Sequence, residues 1–318
     1  AQRFFAPTAA RAAGELPDET LIRGLTGMAA AIPQGRSETL AIMNRLDGMA
    51  RVPAHRMMVC YGFGSLLFWR GEFAASLSRL DEAIRIGETL PTREWLRYSA
   101  DSPVVACNAL KGINLAFSGT AATAREAAAR AVADARREGR AHGLCFALTM
   151  AASVHLVLDH PDEVERFAAE GLELATQRHF PLWRAYNTLF GEWAKARQGR
   201  LRMSRSFKLV SMHREFAAAS RLSPVTSLWF VGCIFEALGN WSLVDATTGR
   251  ALALAENGGD RYCMPDLMRQ KALARHAQGD LAGARRWLDQ AQALAETLGN
   301  HGLVPRLRQT GDLIAAAR

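Results

Sequence analysis

One short stretch of the chain carries residue types that could bind a metal ion or transfer protons. Asp159, His160 and Asp162 lie close together, and His155 comes about one helical turn earlier. Carboxylates and imidazoles at such spacing serve as metal ligands and as general acids and bases. Pro161, however, stands where proline usually starts a helix, so turn and capping chemistry explains the cluster better. His155 stands among valine and leucine residues, which indicates a buried structural histidine or a groove residue.

Motifs of the common catalytic classes are absent from the sequence. It contains no G-x-x-x-x-G-K-[ST] phosphate loop, no H-E-x-x-H zinc motif and no G-x-S-x-G nucleophile motif. We therefore predict that the protein is not an enzyme and that it uses neither a metal nor another cofactor. Binding and scaffolding remain as function classes.

Cysteine use and hydropathy predict a soluble protein of a reducing compartment. The five cysteines are widely spaced, and most stand in apolar helix-like segments. Such cysteines are usually small buried hydrophobes. No apolar run reaches the roughly 18 residues that a membrane span needs. We predict a cytoplasmic protein without membrane contact, and the lack of an initiating Met favours a piece of a longer chain.

A period of 40 residues organises most of the chain, and it defines the elements that must position any site. Small residues recur at that interval at Gly119, Asp159, Gly199, Gly239 and Gly279. Each is followed by a segment with apolar residues three and four positions apart, the spacing of an amphipathic helix. Such a period is typical of one helix pair copied along the chain. Stacked repeats usually present an extended binding surface.

The small residues within each unit resemble the tetratricopeptide repeat. Gly or Ala precedes the turn by seven residues, Gly ends the first helix, and Ala recurs in the second, as at Gly112, Gly119, Ala124 and Ala131. The resemblance implies an all-α fold, a right-handed superhelical solenoid of antiparallel helix pairs with a period of about 40 residues instead of the usual 34.

Three segments are predicted along this solenoid. A divergent helical cap covers residues 1–52, about six helix pairs cover residues 53–300, and a capping helix covers residues 301–318. The cap is predicted from two helix-like stretches, Glu19–Ile32 and Ser37–Arg51.

A second resemblance covers most of the chain and is most specific at FPLWRAYNTLFGEWAKARQG, Phe180–Gly199. This segment is similar to the C-terminal repeat region of large bacterial signalling ATPases of the STAND type. In that family a winged-helix DNA-binding domain or a nucleotide cyclase precedes a nucleotide-binding switch, and the repeats come last. The resemblance implies a sensor region for signal transduction or transcription regulation, which contacts a switch domain that this sequence lacks.

The tetratricopeptide resemblance also implies an inner surface built by the first helix of each pair. The corresponding positions predict a groove that mixes aromatic rings with sparse charges, as ligand sites usually do. The residues predicted to bind a ligand there are Tyr61, Trp69, Trp193, Arg197, Trp229, Glu236, Arg269 and His276. The same wall includes Ser65, Phe68, Ile113, Phe117, Thr149, Ser153, Tyr186 and Cys233. The alternative is that many of these side chains, Phe117 and Trp229 above all, belong to the core between repeats.

The fourth unit is the most basic part of a chain whose net charge is +8. Between Pro181 and Ser220, eight Lys and Arg residues accompany two Glu residues. A solvated helix face would account for this excess. A docking patch for an acidic protein, made by Arg200, Arg202, Arg205 and Lys208, would account for it too. Nucleic acid is a less favoured partner, because only the charge and no groove-reading element is visible.

Two hypotheses for the function remain open. The first is a non-catalytic module that recognises a peptide, a protein or a small effector in the concave groove and biases a switch. Under it, replacing Arg269 and Glu236 by Ala should abolish binding and leave the melting temperature unchanged. The second is a scaffold that docks an acidic partner through the basic fourth unit, with binding that weakens as salt rises.

Overall fold

A computed structural model shows a chain built from α-helices. It describes residues 37–99, 101–201, 224–258 and 260–316, and these contain no β-strand. A one-turn 3-10 helix, η1, covers His301–Leu303. The α-helices are α1 Ser37–Met49, α2 Pro53–Trp69, α3 Phe73–Gly87, α4 Thr92–Trp95, α5 Pro103–Phe117, α6 Ala121–Glu138, α7 Ala141–Val157, α8 Pro161–Gln177, α9 Pro181–Arg197, α10 Pro224–Ala237, α11 Trp241–Gly258, α12 Met264–Ala277, α13 Leu281–Leu298 and α14 Val304–Ala316.

Consecutive helices pack as pairs, and the pairs stack on one another. Helix α2 packs on α3, α5 on α6, α7 on α8, α10 on α11 and α12 on α13. Helix α9 packs on α8 and α10, while the predicted second helix of its pair falls in a range outside the described residues. The predicted all-α solenoid of stacked helix pairs is therefore confirmed.

The turn between the two helices of a pair explains the 40-residue spacing of small residues. Gly119 and Gly279 have φ values of 89° and 80°, in the left-handed region where glycine pays no steric penalty. Asp159 takes the same place with a φ of 58°, which Asp tolerates better than most residues. At that turn the backbone nitrogens of Asp159 and His160 donate to the backbone oxygens of Leu156 and His155. This pattern is a Schellman motif, which ends the first helix and directs the chain into the second.

The acidic and histidine cluster at that turn has a structural role. Pro161 is the first residue of α8, and His155 is buried with its ring stacked on that of Phe167 at 5.6 Å. No group of three potential metal ligands occurs among the residues that the structure describes.

Small residues let the two helices of a pair approach closely. A Cβ on Gly112 of α5 would lie only 3.2 Å from the backbone nitrogen of Ala128 and 3.3 Å from the backbone oxygen of Ala124, both on α6. Ala124 and Ala131 are fully buried at the same crossing. A larger side chain at these positions would separate the backbones.

First and second helices of a pair differ in exposure. Twelve of the 17 residues of α7 are buried, whereas only five of the 17 residues of α8 are. The first helices are thus covered on most sides by neighbouring helices. The second helices keep one face in solvent. This is the arrangement that the sequence predicted for the inner wall.

The last helices return to the first repeats. The backbone oxygen of Trp69, at the end of α2, accepts hydrogen bonds from the backbone nitrogens of Arg261 at 2.8 Å and Tyr262 at 3.4 Å. The Arg306 side chain on α14 donates through Nη2 to the backbone oxygen of Leu156 at 2.6 Å, across 150 positions of sequence. These closing contacts join early and late repeats around the inner face.

The 3-10 helix η1 makes a further closing contact at the turn after α5. Gly302 lies so close to α5 that a Cβ there would collide with the backbone oxygen of Ala116. A Cβ on Gly119 would lie 2.9 Å from the Cβ of His301. Both glycines are therefore required by the closeness of the two segments.

The predicted ends of the solenoid are described in part. Helix α1 packs on α2 through Met43 and Leu46, while residues 1–36 of the predicted cap lie outside the described residues. Helix α14, within the predicted capping segment, packs on α12 and α13. All five cysteines are buried and free. Within the described ranges, no helix has the length and hydropathy needed to cross a membrane.

Candidate functional site

The inner face of the solenoid holds a cavity of about 280 Å³, which we call the aromatic cavity. Helices α1, α2, α5, α7, α9 and α10 line it, together with Tyr262 just before α12. None of its described lining residues is Asp, Glu, Lys, Arg or His. The lining residues are Thr39, Met43, Leu46, Met58, Tyr61, Gly62, Ser65, Phe68, Trp69, Leu110, Ile113, Phe117, Phe146, Met150, Ser153, Leu182, Trp183, Tyr186, Thr226, Trp229, Phe230 and Tyr262.

Helical periodicity places these side chains on the inner wall. Tyr61, Ser65 and Phe68 follow at intervals of four and three residues on α2, so they share one face of that helix. Ile113 and Phe117 do the same on α5. Because the first helices stack side by side, their inward faces form one continuous wall.

Packed aromatic rings form the closed side of the aromatic cavity. The rings of Phe68 and Tyr262 have centroids 4.8 Å apart, and those of Phe117 and Tyr262 are 5.3 Å apart in an edge-to-face arrangement. Trp229 lies 5.9 Å from both Phe117 and Tyr262. The Tyr262 hydroxyl is 2.7 Å from Oγ1 of Thr226, and this hydrogen bond satisfies both groups. Such contacts fix the rings, so this side of the cavity is preformed.

The part of the lining that α1 and α2 contribute carries hydroxyl groups that have no partner among the described residues. Oγ1 of Thr39 is buried and has no hydrogen-bond partner in the structure. The hydroxyls of Tyr61 and Ser65 make no hydrogen bond to any described residue. Ser153, in contrast, donates to the backbone oxygen of Thr149 at 3.0 Å. Free hydrogen-bonding capacity is therefore concentrated where α1 meets α2.

A hydrogen-bonded chain fixes the rim of the aromatic cavity between repeats. Nε1 of Trp183 donates to Nε2 of His142 at 2.9 Å, and Nδ1 of His142 contacts the Asp101 carboxylate. Because Nε2 accepts, we assign the ring proton to Nδ1, which then donates to Asp101. The indole of Trp183 is thereby held in one orientation.

A second pocket, of about 360 Å³, opens between α9, α10, α12, α14 and the turn after α7. We call it the charged pocket. It is lined by Asp159, Trp193, Arg197, Cys233, Glu236, Ala237, Trp241, Arg269, Leu273, Arg306, Gln309, Thr310 and Leu313.

Arg269 is the centre of an ion-pair network beneath the charged pocket. It donates through Nη1 and Nη2 to the two carboxylate oxygens of Glu236, each at 2.7 Å, and through Nε to Oδ1 of Asp266 at 2.6 Å. Oδ2 of Asp266 accepts from Nε1 of Trp229 at 2.8 Å and lies 3.8 Å from Nη1 of Arg306. Arg269 and Asp266 are almost fully buried. The network therefore holds the helices together as part of the packed interior, besides pairing charges.

The ionisation of this network follows from its pairing. Burial by itself would raise the pKa of Asp266, but the positive charges of Arg269 and Arg306 outweigh it and hold that pKa below its usual value. Burial likewise opposes the charge on Arg269, and the carboxylates of Asp266 and Glu236 hold the pKa of its guanidinium well above the ordinary value. Both partners are therefore charged at neutral pH.

The remaining charges of the charged pocket are also paired. Arg197 donates through Nε and Nη2 to the two carboxylate oxygens of Asp159, at 3.0 and 2.5 Å, and both side chains are 42% exposed. Every N–H-bearing nitrogen of Arg269 already has a carboxylate partner. An anionic ligand would have to displace these carboxylates.

The predicted groove residues fall into two groups rather than one site. Tyr61, Trp69 and Trp229 line the aromatic cavity. Trp193, Arg197, Glu236 and Arg269 line the charged pocket. His276 is in neither lining, and its buried Nδ1 has no hydrogen-bond partner in the structure. Their roles as ligand-binding residues stay predictions.

Sequence reasoning missed several residues that line these cavities. Thr39 belongs to the cap rather than to a repeat, Tyr262 precedes its helix, and Arg306 belongs to the closing helix. A repeat pattern marks none of them. The places of Tyr262 and Arg306 depend on the closing contacts between distant parts of the chain, and that of Thr39 depends on the packing of α1 on α2.

Most of the predicted basic patch lies beyond what the structure describes. Arg202, Arg205 and Lys208 are outside the described residues. Arg200 is described, and its guanidinium contacts the Glu165 carboxylate.

Comparison with known proteins gives matches in structure only. A Rap protein complexed with competence and sporulation factor has a TM-score of 0.67 with this chain at 11% identity, over 94% of this chain and 81% of that chain. The apo form of RapI has a TM-score of 0.57 at 11% identity, over 88% of this chain and 100% of that chain. No family model matches the chain, and no curated protein matches it in sequence. At this identity the similarity shows a shared helical-repeat fold.

Proposed function

We propose that this chain is a non-catalytic recognition module that binds a ligand in the aromatic cavity. The observation that carries the proposal is the cavity itself. It is open space of about 280 Å³ on the inner face of a solenoid, lined by aromatic rings that are fixed by their neighbours. Largely preformed apolar clefts with a few polar groups are the usual form of small-ligand sites.

The chemistry of the lining favours binding over catalysis. The described lining residues offer no carboxylate, imidazole or thiol that could act as acid, base or nucleophile. The hydroxyls of Thr39, Tyr61 and Ser65 have no base beside them in the lining. A ligand in the cavity would be held and not transformed.

The position of the aromatic cavity gives binding a regulatory consequence. Thr39 and Tyr61 come from the first described helices, whereas Trp229 and Tyr262 come from late repeats. A ligand that contacts both groups favours the closed superhelix over a more open one, because it has more contacts in the closed form. Binding at a concentration one hundred times the Kd would stabilise the folded chain by about 2.7 kcal/mol.

The setting of this module is proposed from the sequence resemblance. The chain would be the sensor region of a larger cytoplasmic signalling or transcription regulator. A closed superhelix would then contact a nucleotide-binding switch domain differently from an open one. A peptide, a protein segment and a small effector are the ligands to be distinguished.

Ligand recovery with a blocked cavity tests the proposal. The chain is immobilised and exposed in parallel to a displayed random-peptide library and to a small-molecule extract of its host. Ser65→Trp fills the cavity from the half-buried face of α2, and Ser78→Trp adds the same bulk to an exposed position of α3. We expect a ligand that wild type and Ser78→Trp retain and that Ser65→Trp loses.

Circular dichroism of each variant establishes that the helices are intact. If neither the peptide library nor the extract gives a ligand that Ser65→Trp fails to retain, the proposed function is wrong. A ligand retained equally by all three proteins would also contradict it, because binding would then occur elsewhere.

A further inference from the structure

We infer that the aromatic cavity holds a small, uncharged and mostly hydrocarbon molecule with one hydrogen-bonding group at one end. The inference rests on the proposed function and names the chemical class of its ligand.

The ligand should be uncharged because no side chain of the described lining can pair with a charge. The described lining contains no acidic, basic or imidazole side chain. Taking a charged group from water into such surroundings is strongly unfavourable unless a partner charge or several hydrogen bonds replace the water. The ionisable groups that reach the lining are already engaged. The Asp266 carboxylate beside Trp229 pairs with Arg269. His142 beside Trp183 contacts Asp101.

The size of the ligand follows from the volume of the cavity. At about 280 Å³ it has nearly twice the volume of the roughly 150 Å³ apolar cavity that takes one benzene molecule. It is also slightly below the usual range for drug-sized ligands, about 300–1,000 Å³. A molecule of about two or three six-membered rings, or an alkyl chain of similar bulk, would fill it.

The place of the polar group follows from the unsatisfied hydroxyls. Oγ1 of Thr39 is buried without a partner, which is costly unless a ligand or water supplies one. Tyr61 and Ser65 lie one helical turn apart on α2, and α1 packs on α2 beside them, where Met43 touches Gly62. Elsewhere in the lining, the hydroxyls of Thr226 and Tyr262 already bond each other. One carbonyl, hydroxyl or amine group at the α1 and α2 end would complete the cavity.

A peptide fits this lining less well than a small molecule. Each residue of a peptide brings a backbone donor and acceptor that need partners when buried. The described lining has no Asn, Gln, Arg or Lys to bind a peptide backbone, and its free hydroxyls lie at one end only. A peptide could therefore insert a side chain and no more.

A pair of fluorescent probes that differ by one charge tests the inference. N-phenylnaphthylamine is uncharged, has one N–H group, and brightens in apolar surroundings. Anilinonaphthalene sulfonate has the same rings with an added sulfonate. We expect the full chain to bind the uncharged probe with one-to-one stoichiometry and at least about tenfold more tightly than the sulfonate.

Two variants locate the bound probe. Ser65→Trp should weaken binding of the uncharged probe about tenfold or more, while Ser78→Trp leaves it unchanged. Thr39→Val keeps the shape of the side chain and removes the hydroxyl, so it should weaken binding about three- to tenfold. Arg197→Ala changes the charged pocket and leaves the aromatic cavity intact, so unchanged probe binding in that variant shows that the probe is not in the charged pocket.

The outcomes separate the two proposals. Equal affinity for both probes, or binding that resists both Ser65→Trp and Thr39→Val, would overturn the inference. If the display library yields a cavity-dependent peptide that the uncharged probe cannot displace, the inference is wrong and the proposed function stands. If no probe and no library or extract ligand binds, the proposed function itself fails.

Discussion

The aromatic cavity and the charged pocket are similar in volume, about 280 and 360 Å³, yet their side chains are used in opposite ways. In the charged pocket the ionic groups bind one another, as Arg269 does with Glu236 and Arg197 with Asp159. In the aromatic cavity polar atoms such as Oγ1 of Thr39 have no partner. The difference indicates that the charged side chains of the charged pocket stabilise the fold by binding one another. The apolar space of the aromatic cavity has no such occupant and is available for a ligand.

Breaking the ion-pair network should produce the largest effect. Arg269→Ala leaves the buried carboxylate of Asp266 without its closest cation, so we expect the free energy of unfolding to fall by about 3–5 kcal/mol. Chemical denaturation followed by circular dichroism measures the change. From the sequence, replacing both Arg269 and Glu236 by Ala is expected to leave melting unchanged; the burial and pairing of Arg269 lead us to expect a loss of stability instead.

Arg197→Ala is the matched control, since it removes an exposed ion pair of the same pocket. Its expected cost is about 0–1 kcal/mol. If Arg197→Ala and Arg269→Ala lowered the free energy of unfolding by similar amounts, burial would not distinguish the roles of the two arginines. The contrast between the charged pocket and the aromatic cavity would then be weakened.

Acidification should affect the turn beside the charged pocket before it affects the aromatic cavity. Burial is the main cause that lowers the pKa of His155 to about 4, against the slight opposing effect of Glu163. In the unfolded chain a histidine titrates near 6.5, so between about 6.5 and 4 the unfolded state binds the proton and the folded state does not. Stability should therefore fall as pH is lowered through this window, by at most about 1.4 kcal/mol per pH unit.

His155→Phe should remove this part of the pH dependence, because phenylalanine can keep the stacking on Phe167 without a titrating group. Unfolding curves at several pH values check it. Binding of the uncharged probe to the folded chain should change less over the same range, since the described lining contains no carboxyl or imidazole group. An unchanged slope in the variant would assign the pH dependence to other groups.

The smallest expected effect on stability is that of Thr39→Val. The hydroxyl that it removes is buried and makes no hydrogen bond, so we expect the free energy of unfolding of the ligand-free chain to rise slightly, by about 1 kcal/mol or less. A loss of several kcal/mol would mean that Thr39 serves the fold, and the contrast with Arg269 would disappear. Thermal and chemical unfolding of wild type and variant decide it.

The repeat fold could be predicted from the sequence because its signals are local. Gly119 and Gly279 mark turns that need positive φ, and the spacing of Tyr61, Ser65 and Phe68 fixes which face of α2 turns inward. These features depend on neighbours within one or two helical turns. They therefore remain readable without knowing how the repeats stack.

The partners of side chains could not be predicted in the same way. In the sequence, Arg269 and Glu236 suggest two charges that bind a ligand. They lie 33 positions apart, however, and bind each other when neighbouring repeats stack. Trp229 lines the aromatic cavity and is almost fully buried, while its bond to Asp266 crosses 37 positions of sequence. The pairing depends on the register between repeats, which a repeat pattern alone does not specify.

The contact between Arg306 and the backbone of Leu156 has a consequence for how the chain folds. An open array of repeats has only near-neighbour contacts, so its units can fold and unfold in sequence from either end. The Arg306–Leu156 bond spans 150 positions of sequence, and the bonds between Trp69 and residues 261–262 are also long-range. Only a nearly complete chain can form these contacts. Such contacts raise the contact order, which slows folding and couples the terminal helices to the middle of the array. The repeats should then melt in one cooperative transition rather than fray from their ends.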